Sequence, residues 1–315
     1  MSLRNCVYLF LVFVFFSCSK EVKIDIPAYN SQLVVDGTIE SNGHPIVLLS
    51  KSANIYTGTD LNTYLNNFIS DANVKVVCGS DTFELAPFHV SELPLESQKK
   101  LAEMLEIKYS EVILLPIKVF SNNELTATVN SYYELIIEYE SKIYNATTYI
   151  PSSTSLDNLY WKPEINNPTY GKSWARLSDN PNQYDAYKWE VKRINKNADN
   201  EDFDIIFKKT NDAYFDDSYF NGLSFDFFYD SPLKRKDSTH LKEFKKFYFI
   251  GDSIVVKFSK MDLKTYTFFR QKRSQMNNAN SPFASPINIT STISGGALGI
   301  WAGFSPYYDT LYCTP

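Results

Sequence analysis

The sequence predicts a mainly β protein: an N-terminal immunoglobulin-like β-sandwich followed by a second β-rich domain, sandwich or barrel-like, with one or two short helices. Three observations carry that expectation. The chain holds 22 Tyr and 23 Phe, and aromatic and β-branched side chains suit the pleated surface of a sheet. Apolar residues alternate with polar ones along many short segments, the period of a half-buried strand. With 315 residues, 44% of them hydrophobic and 21% charged, the chain is long enough for two domains of about 100–200 residues, each with a core.

The first hairpin is read from alternation at 33–39, a Glu-Ser-Asn-Gly turn at 40–43 and a partner strand at 46–50. A polar, Asn-rich stretch at 57–67 follows, then strands at 72–78 and 82–85 about a Gly-Ser-Asp turn. Residues 94–108 break the rhythm: Glu, Lys, Ala, Met and Leu favour helix, and Leu101, Met104, Leu105 and Lys108 fall at helical spacing. This segment is expected as a helical insertion before strands at 112–119, 132–139 and 144–150. The Pro-Ser-Ser-Thr-Ser run at 151–155 sets the expected boundary, giving a sandwich domain at 31–150 and an aromatic-rich β domain at 151–315. In the second domain, strands are expected at 184–194, 203–207, 223–229, 247–250 and 253–258, with an amphipathic helix at 262–277. Gly295, Gly296 and Gly299 predict a tight turn into a final buried strand.

The N-terminus points to a compartment. Residues 1–17 place Arg4 before an apolar run from Cys6 to Phe16 and end on Ser17, the layout of a secretory signal and too short for a transmembrane helix. Cys18 follows at once, as in a bacterial lipobox whose cysteine is acylated. Residues 18–30 would then be a lipid-anchored tether, and the several acyl chains on Cys18 would anchor it stably. Segment 19–23 resembles a reduced form of the lysine-plus-acid signals that direct lipoproteins to the cell surface. With Cys6 removed and Cys18 acylated, Cys78 and Cys313 remain. They could pair in an oxidising compartment, or Cys78, alternating with Val74 and Val76, could serve as a small buried hydrophobe.

Little local chemistry stands out. A net charge of −5 gives no electrostatic reason to bind nucleic acid. His44, His89 and His240 lie apart from one another without the spacing of a metal site, and no GxSxG elbow marks a serine hydrolase. The Gly295-Gly296-Ala297-Leu298-Gly299 run lacks the following helix that a phosphate loop needs. The acidic clusters at 199–204 and 212–217 depart from calcium-loop spacing and read as solvated turns. No cofactor or metal is expected. The aromatics are the surplus: either they fill a β core, or some form a binding surface, for which Trp161 and Trp174, expected exposed in Pro- and Asn-rich loops, and Tyr170 are the candidate ligand or partner contacts.

Several segments together resemble one family. They include Cys18, the run 33–39, Leu48-Leu49-Ser50-Lys51-Ser52, Asp71-Ala72-Asn73-Val74, Tyr133-Glu134-Leu135, and Tyr144 with 146–151. The strongest stretches are Gly251-Asp252-Ser253-Ile254-Val255-Val256, Tyr266, Ser281-Pro282-Phe283-Ala284-Ser285-Pro286 and the run 293–305. The chain is similar to Bacteroidota outer-membrane lipoproteins of the domain of unknown function 4249 type, departing from them in the 94–108 insertion and in 155–245. The resemblance implies a location on the outer membrane and a TonB-dependent β-barrel receptor as partner; segment 19–23 places the expected location at the cell surface rather than the periplasmic face. It implies no activity. The expected function is therefore a lipid-anchored, non-enzymatic accessory or binding protein in nutrient uptake. The alternatives are a surface enzyme acting on glycans or peptides, with carboxylates from 199–217, and a structural envelope-assembly lipoprotein. Asp252-Ser253-Ile254 and Asp309-Thr310-Leu311 match the short pattern of Bacteroidota O-glycosylation, making Ser253 and Thr310 candidate acceptors.

Overall fold

The alternation at 33–50 becomes two paired strands, β1 (Leu33–Glu40) and β2 (Ile46–Lys51), and this hairpin seeds the larger of two sheets. The computed structural model describes residues 30–53, 60, 65–233, 244–278 and 288–314. The following strands are β3 (Asn73–Cys78), β4 (Asp81–His89), β5 (Lys118–Ser121), β6 (Ser131–Tyr139) and β7 (Lys142–Ile150). Helices α1 (Leu95–Leu105) and α2 (Tyr109–Val112) lie between β4 and β5. The first half of β4 pairs with β3 and its second half with β5, so β4 passes from one layer of a sandwich to the other.

Between these layers lies an aliphatic core. Val35, Ile39, Val47 and Leu49 face Val74, Val76, Leu135 and Ile137, the inward set that period-two alternation selects. Trp301, from the far end of the chain, fills its centre and donates from Nε1 to the Tyr133 carbonyl at 3.0 Å. Gly37 opposes it, and a Cβ there would lie 2.7 Å from the indole.

Trp301 belongs to β15 (Leu298–Tyr312). Its first half runs parallel to β1 and its second half antiparallel to β14 (Ser253–Met261). Gly299 allows this approach: its φ is 112°, and a Cβ would meet the Val35 carbonyl oxygen at 1.9 Å. Outside β14 lie β10 (Ala186–Arg193) and β11 (Lys208–Asp216). A smaller sheet of β8 (Asn158–Glu164), β9 (Asn167–Ser178), β12 (Ser224–Tyr229) and β13 (Tyr248–Phe249) covers them. The second core is aromatic, with Tyr187, Trp189 and Phe258 meeting Trp161, Phe225, Phe227 and Tyr229. Helix α3 (Leu263–Asn278) packs Tyr266 and Phe268 on the opposite face of the larger sheet. The sheets are mostly antiparallel and do not close into a barrel.

Residues 151–155 do lie between most elements of the two cores, but residues 298–304 return to the first, so one strand is common to both. Two expected strands are shorter or absent. Val112 ends α2 and residues 113–117 are irregular, with strand only at Lys118–Ser121, because the Leu114 and Leu115 N–H groups donate back to Glu111 and Val112. At 203–207 the backbone finds other partners: the Phe203 N–H donates to the Asn195 carbonyl and the Phe207 N–H to Glu103 on α1.

Candidate functional site

The three aromatic candidates lie in strands, not in exposed loops. Trp161, on β8, is 9% exposed and belongs to the second core. Its indole crosses Gly171, where a Cβ would come within 2.3 Å of Nε1. Tyr170, on β9, is 7% exposed; it stacks on Phe244 at 4.1 Å and meets Phe249 edge-on at 4.7 Å. The expectation of exposure therefore fails for Trp161, and Tyr170 is buried as well. The prolines that made this stretch read as loop are accommodated because β8 is an edge strand pairing only with β9, where Pro163 opposes Gly171.

Trp174 shares the face of Tyr170, opposite to Trp161, and is half-buried. On β9 it lies directly opposite Tyr160 of β8 on one side and Phe228 of β12 on the other. The three rings form a row across the small sheet, with centroids 6.4 Å and 4.9 Å apart and interplanar angles of 20° and 40°. Phe228 is 44% exposed. Lys162 Nζ sits 5.1 Å from the Trp174 ring centroid and Lys172 Nζ 4.3 Å from that of Phe228. Lys172 also pairs with Asp230 at 3.3 Å, and Arg176 with Asp226 at 3.6 Å. Sequence reasoning missed Tyr160, Phe228 and the two lysines. The signal for Phe228 was phase: on β12, Phe225, Phe227 and Tyr229 alternate inward, which puts Phe228 among the outward residues beside Asp226.

On the opposite face of the larger sheet lies a buried ion cluster. Lys257 of β14 donates to both oxygens of Glu40 on β1, at 3.0 and 2.8 Å. Helix α1 contributes Lys100, which also bonds Glu40, and Glu103, 3.5 Å from Lys100 and 3.7 Å from Lys257. Lys188 and Glu190 of β10 pair at 2.7 Å. Burial opposes ionisation of Glu40, but the ammonium groups of Lys100 and Lys257 outweigh it and hold its carboxyl well below the usual range. Burial would likewise lower Lys257, yet Glu40, Glu103 and Glu190 together hold it well above an ordinary lysine. The cluster forms part of the wall of a cleft of about 1860 Å³, which Asp36, Tyr214, Lys272 and Phe304 also line. Burial pushes the Asp36 carboxyl up, with Lys272 opposing. The Glu190 Oε2 atom is buried without a hydrogen bond.

The remaining expected residues fall as follows. Ser253 opens β14 half-buried and its N–H donates to Asn195 at 2.7 Å, while Thr310 is half-buried in β15. Cys78 lies beside the first core and Cys313 in the second, and no disulfide joins them. Cys18 and the 1–17 segment lie outside the described residues. Of the 199–217 acids, Asp204 pairs with Arg193 and Lys208, Asp216 accepts from Tyr184 and Ser218, and buried Asp217 accepts from the Asp185 N–H at 2.7 Å. Neither a curated protein nor a solved structure matches the chain. A match to the family described as a domain of unknown function (DUF4249) spans residues 19–307, and the chain belongs to that family.

Proposed function

We propose that the protein is a lipid-anchored, non-enzymatic binding or accessory protein of the outer membrane, working beside a TonB-dependent β-barrel transporter in nutrient uptake. The observation that carries the binding role is the row Tyr160–Trp174–Phe228, half-buried at Tyr160 and Trp174 and exposed at Phe228, on the face turned away from a core that is already filled. Aromatic residues held rigidly on a sheet lose little conformational freedom on contact and are common anchors at binding surfaces. The ionised groups of the cleft, by contrast, bond mainly to one another, so their charge serves the fold before any acid–base step. The anchor rests on Cys18, which follows the apolar run and Ser17. Anchoring confines the chain to the plane of the membrane and raises its effective concentration beside any partner in that plane.

Two measurements test this reading. Cys18→Ala should move the protein from the membrane to the soluble fraction; retention in the membrane contradicts the anchor. Purification of the tagged full chain from native membranes in mild detergent should bring down a TonB-dependent barrel in stoichiometric amount. A stable preparation without one contradicts the transporter role.

A further inference from the structure

We propose that the outward face of β8, β9 and β12 binds an acidic glycan, its sugar rings lying along Tyr160, Trp174 and Phe228 and its carboxylate or sulfate groups meeting Lys162, Lys172 and Arg176. This deepens the binding role above and requires neither the anchor nor the transporter.

Phase and register make the argument. On these strands the inward positions, among them Leu159, Trp161, Ala175, Leu177 and Phe227, supply the second core. At one end of the outward face Tyr170 and Phe249 are buried against Phe244. Along β8, β12 and β9 from Lys172 onward, the outward positions are polar or charged except where Tyr160, Trp174 and Phe228 stand directly opposite one another. Three surface aromatics aligned in one register are therefore not required by burial. An aromatic ring carries negative charge density on its face. The apolar face of a pyranose presents polarised C–H groups to such a ring, while its hydroxyls remain at the edges. The rows bordering the aromatics fit those edges, with Asp226 and Asp230 to accept and Lys162, Lys172 and Arg176 to donate.

The charge of the ligand follows from the pairing. Lys172 and Arg176 each have a carboxylate nearby, at 3.3 Å and 3.6 Å. Lys162 makes no ion pair among the described residues; its ammonium group rests against Trp174 instead. A lysine on a flexible stem can leave that position for an anion, and a charge-assisted hydrogen bond is stronger than a neutral one. A membrane surface fits less well. The row lies across the middle of a sheet rather than at a protruding tip, and Asp226 and Asp230 would face anionic headgroups.

The test uses the purified full-length protein in mild detergent, titrated with hexagalacturonate, with a sulfated hexasaccharide of the heparin type, with neutral maltohexaose, and with vesicles of phosphatidylglycerol and phosphatidylcholine. Trp174 is the reporter, because Trp161, Trp189 and Trp301 are buried. Binding of either acidic hexasaccharide with a change in tryptophan fluorescence is expected. Trp174→Ala should weaken it at least about tenfold, Trp174→Phe should restore part of the affinity, and Lys162→Ala should weaken it and flatten its salt dependence. Circular dichroism melts should match those of the parent protein. Binding to neither acidic oligosaccharide, equal binding by Trp174→Ala, tighter binding of maltohexaose, or binding to vesicles alone overturns the proposal. Because the oligosaccharide titrations contain no barrel or membrane, failure there is separate from failure of the co-purification.

Discussion

Lys257 and Lys162 lie on two outward faces with the aromatic core between them, and their settings are opposite. Lys257 is 3% exposed at its side chain and meets Glu40 and Glu103. Lys162 stands at the solvent face of an edge strand, against an indole ring. On the first face each member of the cluster has an opposite charge within 4 Å, and the set ties α1 to β1 and β14. On the second, rings and cations have polar neighbours but unfilled capacity. The difference separates two uses of polar groups in a sandwich: one set is consumed in holding the layers together, and the other is left for a ligand.

The largest effect should come from breaking the buried face. Lys257→Met leaves Glu40 and Glu103 buried with fewer partners, and should cost about 3–5 kcal/mol in a urea unfolding curve. Replacing Lys257, Glu40, Lys100 and Glu103 together by apolar residues of similar volume should recover most of that loss, since buried ion sets often exchange with hydrophobic ones at little net cost. A quadruple variant as unstable as the single one would contradict the cluster's closed character.

Acid titration sharpens the same point. Glu40 has a folded pKa held far below its unfolded value of about 4.3. Its contribution is therefore fully present above that unfolded value and is lost as pH falls through the folded one. The stability gap between the parent protein and Glu40→Gln should be widest near neutrality and narrow below about pH 4.3. A gap that stays constant on acidification, followed by chemical denaturation at each pH, would speak against an ionised Glu40.

A smaller effect is expected between the faces. Gly171→Ala places a Cβ against Trp161 Nε1 and the Lys162 carbonyl. That overpacking should cost about 1–3 kcal/mol, because the indole is held in the second core. An unchanged unfolding midpoint would mean that Trp161 can move aside.

The hairpin at 33–50, the helix at 262–277 and the final strand were legible because their signals are local: alternation, helical spacing, and glycines before an apolar run. Strands β8 and β9 were hidden by Pro163 and Pro168, which an edge strand and a strand start tolerate. The ion cluster was illegible for another reason. Glu40 lies 60 residues from Lys100 and 217 from Lys257, and each occupies a position whose polarity alone reads as solvated. Only β10, buried on both faces although it carries Lys188, Glu190 and Arg193, would have marked the site, and burial is not written in a single sequence. The aromatic row was half legible: the phase of Phe228 is local, but its register with Trp174 and Tyr160 comes from pairing.

The smallest expected stability effect belongs to Trp174→Ala, and measuring its unfolding midpoint and its affinity for hexagalacturonate on the same preparation tests the division most directly. The account predicts a stability change below about 1 kcal/mol, as for a substitution outside the packed core, with binding weakened at least about tenfold. A variant that unfolds as readily as Lys257→Met, or one that binds as tightly as the parent protein, would show that the row is part of the scaffold and not a binding face.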